Sequence, residues 1–436
     1  LNLEENYVLA SVNCSNNQIN DLRIRWTRGL SVLDCRNNQL TRLDLSGNKE
    51  LTSLNCSSNL IEYLNLSENF NLKALRCHDN QLRSLNISNN KALTLLSCYN
   101  NQLNSLDASK NAALKELRCN DNKLSSLDLS NNKALAVLLS RNNQLSSLDV
   151  SQNLHLISLA CSNNQLNSLD VSNNTALAEL YCSDNKLSSL DLRKSTALIK
   201  LICNNNQLTR LNLSQNTHLK ELDCNNNQLS ILYISRNTAL EKLRCENNQL
   251  NSLDVSKHEA LTELLCSNNQ IDNLDVSNNK ALKGLLCSNN KISSLDVGNN
   301  TALEDLHRSD NQLSSLDVSN NKALKKLFCA NNRLESLNVS NNKALEKLRC
   351  NNNQLGSLDV SNNKALTELL CNNNQLTLLN LKNGNNENIS DDVLDLTNNP
   401  NLRFIQVDEV AYSNAFWSDK KDDTASFTEE AAVDRV

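Results

Sequence analysis

Sixteen cysteines are the first residues in this 436-residue chain that could do chemistry. Thiols at chosen spacings hold metals, form disulfides or attack substrates, so their arrangement comes first. Cys14, Cys35, Cys56, Cys77, Cys98 and Cys119 lie 21 apart, as do Cys161, Cys182, Cys203, Cys224, Cys245, Cys266 and Cys287, then Cys329, Cys350 and Cys371. Seventeen steps of 21 separate Cys14 from Cys371, and the two remaining slots hold Ser140 and Arg308. Zinc sites need short spacings such as C-x2-C with histidines nearby, and neither occurs. If successive cysteines sit on neighbouring strands, parallel side chains keep their Cβ atoms about 4.8 Å apart, beyond the usual disulfide range. They read as buried free thiols acting as small hydrophobes. Ser140 fits that column if its hydroxyl finds a partner, whereas Arg308 should make its coil bulge or carry the guanidinium to solvent.

Other chemistry-bearing residues follow the same period. Asp107, Asp128, Asp149, Asp170 and Asp191 recur in one slot, as do Asp254, Asp275, Asp296 and Asp317. Carboxylates about 5 Å apart repel by roughly 1 kcal/mol even in a water-like dielectric. Local hydrogen bonds from serine and backbone N–H groups offset this in the first reading, and chelated Ca2+ in the second. The five histidines, His78, His155, His218, His258 and His307, fall at different offsets and form no triad. G-x-S-x-G, H-E-x-x-H and P-loop motifs are absent, so no enzyme, no cofactor and no resident metal is expected.

The element that must position these residues is the repeat itself. Residues 261 to 281 read LTELLCSNNQIDNLDVSNNKA, in which L-x-x-L-x-C-x-x-N-x-L matches the leucine-rich-repeat signature with cysteine in its last strand position. L-x-C is a short period-2 strand with leucine and cysteine inward. The fold class is therefore a leucine-rich-repeat solenoid of parallel β-sheet coils, 21 residues each, with little helix and a non-repeating C-terminal cap. Leu274-Asp275-Val276 repeats the alternation ten residues on and reads as a second strand-like edge. Only six glycines and one proline serve the whole chain, so asparagine must turn each coil and tie its backbone with the side-chain amide.

These repeats resemble bacterial secreted leucine-rich-repeat proteins, both the cysteine-ladder type seen in internalin J and, more closely, the flavobacterial type with N-N-Q-L-x-S-L-D-V-S-x-N units. The likeness extends to the tail, where Leu381-Lys382-Asn383-Gly384-Asn385-Asn386, Thr397-Asn398-Asn399-Pro400-Asn401-Leu402 and Thr424-Ala425-Ser426-Phe427 look like a terminal module. The resemblance implies an exported adhesion or binding protein. It also implies a cysteine pair where this chain has Phe404 and, roughly, Ala431.

Residues 1–382 form the expected solenoid and 383–436 the cap, which holds Phe404, Tyr412, Phe416, Trp417 and Phe427, with 428–436 frayed. The opening Leu1-Asn2-Leu3 aligns with L-D-V, so the chain is expected to start in mid-repeat, downstream of another piece. Forty-three basic against 48 acidic residues leave no excess to neutralise phosphates, which argues against nucleic acid. No apolar run approaches a membrane span, so no membrane insertion is expected. Sequons such as Asn65-Leu66-Ser67 and Asn338-Val339-Ser340 would crowd glycans onto stacked coils, which favours a bacterial secreted or surface location.

One slot breaks the uniformity. Between leucine and cysteine, facing outward, it carries Arg118, Tyr181, Arg244, His307, Phe328 and Arg349 among others. Two residues earlier, Glu179, Lys200, Glu221, Lys242 and Glu263 alternate in sign and read as cross-strand pairs. The varied slot supplies the candidate ligand-binding residues of a monomeric adhesion scaffold for a protein or glycan. The alternatives are a binder of repetitive matter, such as a polysaccharide, mineral or ice, through the Asp/Ser/Asn face, or a structural spacer.

Overall fold

The computed structural model describes residues 1–430, which fall in two compact units, Leu1–Leu219 and the chain from Lys220 onward. Within each unit the 21-residue sequence period becomes a stack of coils. In the first, ten three-residue strands from Ser11–Asn13 to Lys200–Ile202 form one parallel sheet. Register is fixed by the repeat: Leu54 pairs with Leu75 and Leu75 with Leu96, each 21 residues on. In the second unit the strands Glu221–Asp223 to Lys347–Arg349, then Glu368–Leu370 and Leu394–Asp395, follow the same rule until the last step, where Leu369 pairs with Leu394.

Alternation puts the middle leucine of each strand inside, and the cysteine two residues later joins it. Leu54, Cys56, Leu75, Cys77, Leu96 and Cys98 are all fully buried. Every one of the sixteen cysteines is buried. Burial in this apolar column pushes the thiols of Cys56, Cys119 and Cys161 up to about 12, which keeps them protonated and inert.

Asparagine does the work of the missing glycines. The second residue after each cysteine takes a positive φ, from 58° at Asn16 to 53° at Asn373, and it is Asn, Asp or, once, Ser58. Asn and Asp tolerate this left-handed conformation better than other side chains. The next residue ties coils together: Asn59 donates through Nδ2 to the Cys35 and Cys56 carbonyls at 3.0 and 3.2 Å and accepts the Leu40 N–H at 2.9 Å. Each such bond is worth about 1 kcal/mol net. A second buried ladder runs through Asn279, whose Nδ2 donates to the carbonyls of Val255 and His258 at 2.9 and 2.8 Å. Three coils fill that ladder differently, with Thr27, Ser195 and His258, all buried.

Three sequence expectations change here. The Leu-Asp-Val edge is extended, yet over most coils it forms no ladder; pairing there is limited to isolated bridges such as Asp191 with Asn212, and to a four-stranded sheet of Ser357–Asp359, Leu378–Asn380, Phe404–Gln406 and Ser426–Thr428. That last strand corrects the frayed end: Thr428 is buried and pairs with Gln406, and residues 431–436, including Ala431, lie outside the described residues. Arg308 is the third. Its coil does not bulge, because the Arg308 N–H donates to the Phe328 carbonyl at 2.8 Å as a cysteine would. Its side chain is fully buried, with Nε, Nη1 and Nη2 lacking hydrogen-bond partners. Backbone register holds the side chain in the column, and burial lowers its pKa. Ser140 meets its expectation, donating from Oγ to the Ala160 carbonyl at 3.3 Å.

Beyond residue 382 a short helix, Val410–Phe416, is followed by the fully buried Trp417, against which Tyr412 and Phe427 pack edge-on at 5.8 and 6.4 Å. Phe404 lies in the second sheet. Among the described residues no helix is long and apolar enough to cross a membrane.

Candidate functional site

The aspartate edge and the outward strand slot differ in what their side chains are free to do. Along the aspartate edge each carboxylate caps its own turn: Asp107 accepts the Ser109 N–H at 2.9 Å, Asp149 that of Ser151 at 2.8 Å, and Asp275 that of Ser277 at 2.9 Å. Hydrogen bonds from Ser109, Ser151 and Ser277 hold the three carboxyls below the usual range. These are the local bonds that offset repulsion in the first reading. Among the described residues no group of three or more His, Cys, Asp or Glu is placed to hold a metal ion.

The outward slot is heterogeneous. In the first unit Arg118 and Tyr181 are separated by the strands Val137–Leu139 and Ser158–Ala160 and do not meet. Arg118 turns back on Glu116 of its own strand. Tyr181 gathers two cations, with the Arg141 guanidinium 4.5 Å and the Lys200 ammonium 5.6 Å from its ring centre.

In the second unit three of the expected residues come together. His307, Phe328 and Arg349 occupy successive strands in register. The His307 and Phe328 rings stack at 4.3 Å, and the Arg349 guanidinium lies 4.4 Å from the Phe328 centre. Arg349 also pairs with Glu368, which takes Lys347 at 3.2 Å as well. Burial lowers the pKa of His307 against the opposing pull of Asp305, so the imidazole is neutral near pH 7. Arg244 stands apart, bonded to Glu263 at 2.6 Å and facing Glu221 at 3.8 Å. Glu221 and Glu263 thus both meet Arg244 in the neighbouring slot, whose planar fork reaches both.

The sequence reading omitted the apolar members of this row. Leu265 and Leu286 precede His307, Leu370 follows Arg349, and all three are half-buried. Beside Leu286 the first strand position holds Gly284, where the strands of this sheet from Glu221–Asp223 to Glu368–Leu370 otherwise carry Glu, Lys or Asp, and a Cβ there would meet nothing within 4 Å. A hollow of about 440 Å³ results, lined by Thr262, Glu263, Leu265, Lys283, Gly284, Leu286, Glu304 and Asp305. One of six glycines falling inside a strand was the available signal.

Short parallel strands on a 21-residue period, a buried sulfur column and two asparagine ladders define a cysteine-ladder leucine-rich-repeat solenoid. No protein-family model and no curated protein sequence matches the chain. Among solved structures it is similar to the functional domain of InlJ from Listeria monocytogenes, which includes a cysteine ladder, at 30% identity, covering 86% of this chain and 74% of that one with a TM-score of 0.60. YopM from Yersinia enterocolitica is 25% identical over 93% of this chain and 83% of that one, with a TM-score of 0.70. The plant peptide hormone receptor RGFR1, in complex with RGF2, shares the fold at a TM-score of 0.79 and 19% identity, covering 96% of this chain and 79% of that one. The chain belongs to the leucine-rich-repeat proteins, in the cysteine-ladder group that InlJ represents.

Proposed function

We propose that this chain is a recognition scaffold that binds a protein or glycan by surface area, performs no catalysis, and works as a monomer outside the cell or on a bacterial surface. One observation carries the reading. The outward strand slot of the second unit holds a packed, non-repeating row of Leu265, Leu286, His307, Phe328, Arg349 and Leu370, while the aspartate edge is uniform and its carboxylates are already engaged. Rigid aromatic and arginine side chains held by neighbours are the usual anchors of binding surfaces. The receptor in complex with RGF2 shows that a ligand is compatible with this fold, and supports the reading at the level of fold alone. Residues 383–436 act in this scheme as the cap over the last coil, with the buried Trp417 at its centre.

The test is an array of host proteins and glycans probed with the intact chain, then with Phe328→Ala and Arg349→Ala. Binding should fall about tenfold or more for each, the cost of losing an interface anchor. Binding that survives both but is lost in Asp254→Ala and Asp275→Ala would move the site to the periodic edge.

A further inference from the structure

Resting on the strand-face reading, we propose that the hollow at Gly284 seats an apolar side chain of a protein partner, flanked in that partner by a lysine or arginine. Three observations support the choice.

The first is shape. Gly284 pairs in register with Glu263 on one side and Asp305 on the other, so a row of long side chains is interrupted at one strand. Leu265 and Leu286 form the apolar floor beside the gap. An aliphatic or aromatic side chain entering there would shed water against two leucines without displacing any group of this chain.

The second is charge. The lining residues carry three carboxylates, Glu263, Glu304 and Asp305, against one ammonium, Lys283. Each carboxylate pairs through one oxygen with a neighbouring cation: Arg244 at 2.6 Å, Lys325 at 2.7 Å and Lys326 at 3.5 Å. All three remain partly exposed, with side-chain exposures of 27%, 38% and 38%. A partner cation beside the anchor would take the second oxygen of one of these carboxylates.

The third separates protein from glycan. Sugars pack their C–H faces on open aromatic faces. Phe328 offers none, because His307 covers one side and Arg349 the other, each from an adjacent strand. The ring presents its edge outward together with leucine side chains, a surface suited to a peptide.

A random peptide library displayed on phage, panned on the full chain, tests this directly. Enriched sequences should carry an aliphatic or aromatic residue next to Lys or Arg. The dissociation constant of a synthesised winner is then measured by calorimetry against the wild type, Gly284→Leu, Glu304→Gln and Phe328→Ala. Gly284→Leu fills the hollow and leaves the fold intact, since its Cβ meets no atom, so its melting curve should match the wild type. Binding should weaken about thirtyfold with Gly284→Leu and a few-fold with Glu304→Gln. Loss with Phe328→Ala but not Gly284→Leu overturns the hollow and leaves the strand-face reading standing. Indifference to both overturns both. Loss with Gly284→Leu but not Glu304→Gln overturns the basic flank, and failure to enrich any peptide overturns the peptide anchor.

Discussion

Replacing Arg308 by cysteine should stabilise this protein. The guanidinium is fully buried in the column between Cys287 and Cys329, and none of its three nitrogens has a hydrogen-bond partner. Leu303, Leu306 and Leu313 of the same coil are also fully buried. An uncompensated buried charge costs about 3–5 kcal/mol relative to a compensated site. Cysteine is what sixteen of the eighteen slots hold, and the backbone at 308 already has the cysteine register. For a cooperative unit of roughly 200 residues, 3 kcal/mol corresponds to about 6–12 °C in Tm. Differential scanning calorimetry of Arg308→Cys beside the wild type measures it, with hydrogen exchange at the coil's amides as a local readout. Arg308→Met, which removes charge but keeps bulk, separates electrostatics from size and should also raise Tm. A Tm unchanged or lowered in both variants would refute the reasoning and show that the guanidinium is compensated in the folded protein.

Two further outcomes follow from groups described above. Native protein should react slowly with a thiol reagent near pH 8, because burial raises thiols such as Cys56 and Cys119 to about 12; the denatured, unreduced protein should release 16 reactive thiols, and a markedly lower count would contradict the free-thiol column. Hydrogen bonds from Arg193 and its backbone lower Asp191 from 3.8 to about 2, and Asp107, Asp149 and Asp275 shift the same way, so the stability they contribute is fully present above the ordinary aspartate pKa. It is lost as pH falls from about 4 towards 2, so acid unfolding followed by circular dichroism should begin there, and a transition centred near pH 6 would point to another group.

The repeat was legible because one physical rule acts many times. Leucine and cysteine alternate with outward residues, asparagine replaces glycine at each left-handed turn, and any misreading of a single coil is corrected by its neighbours in the sequence. Arg308 was misread because composition reports the cost of a buried charge but not the strength of the backbone register that imposes it. Arg244, His307, Phe328 and Arg349 stood out by type, yet only the last three meet, since contact depends on which strands are adjacent. Leu265 and Leu286 passed as ordinary leucines in a leucine-rich chain. Their exposure becomes meaningful beside Gly284, a relation between three positions that no single slot displays.

The asparagine bonds reach back 24 residues and the strand pairs 21, so within each unit a coil touches little beyond the coils before and after it. Such a molecule changes length most simply in whole windings. Duplication or loss of one complete winding reconnects every donor to an equivalent acceptor. Its reach toward a partner is therefore adjustable in fixed increments through unequal genetic exchange, while the surface borne by each surviving winding passes through unaltered.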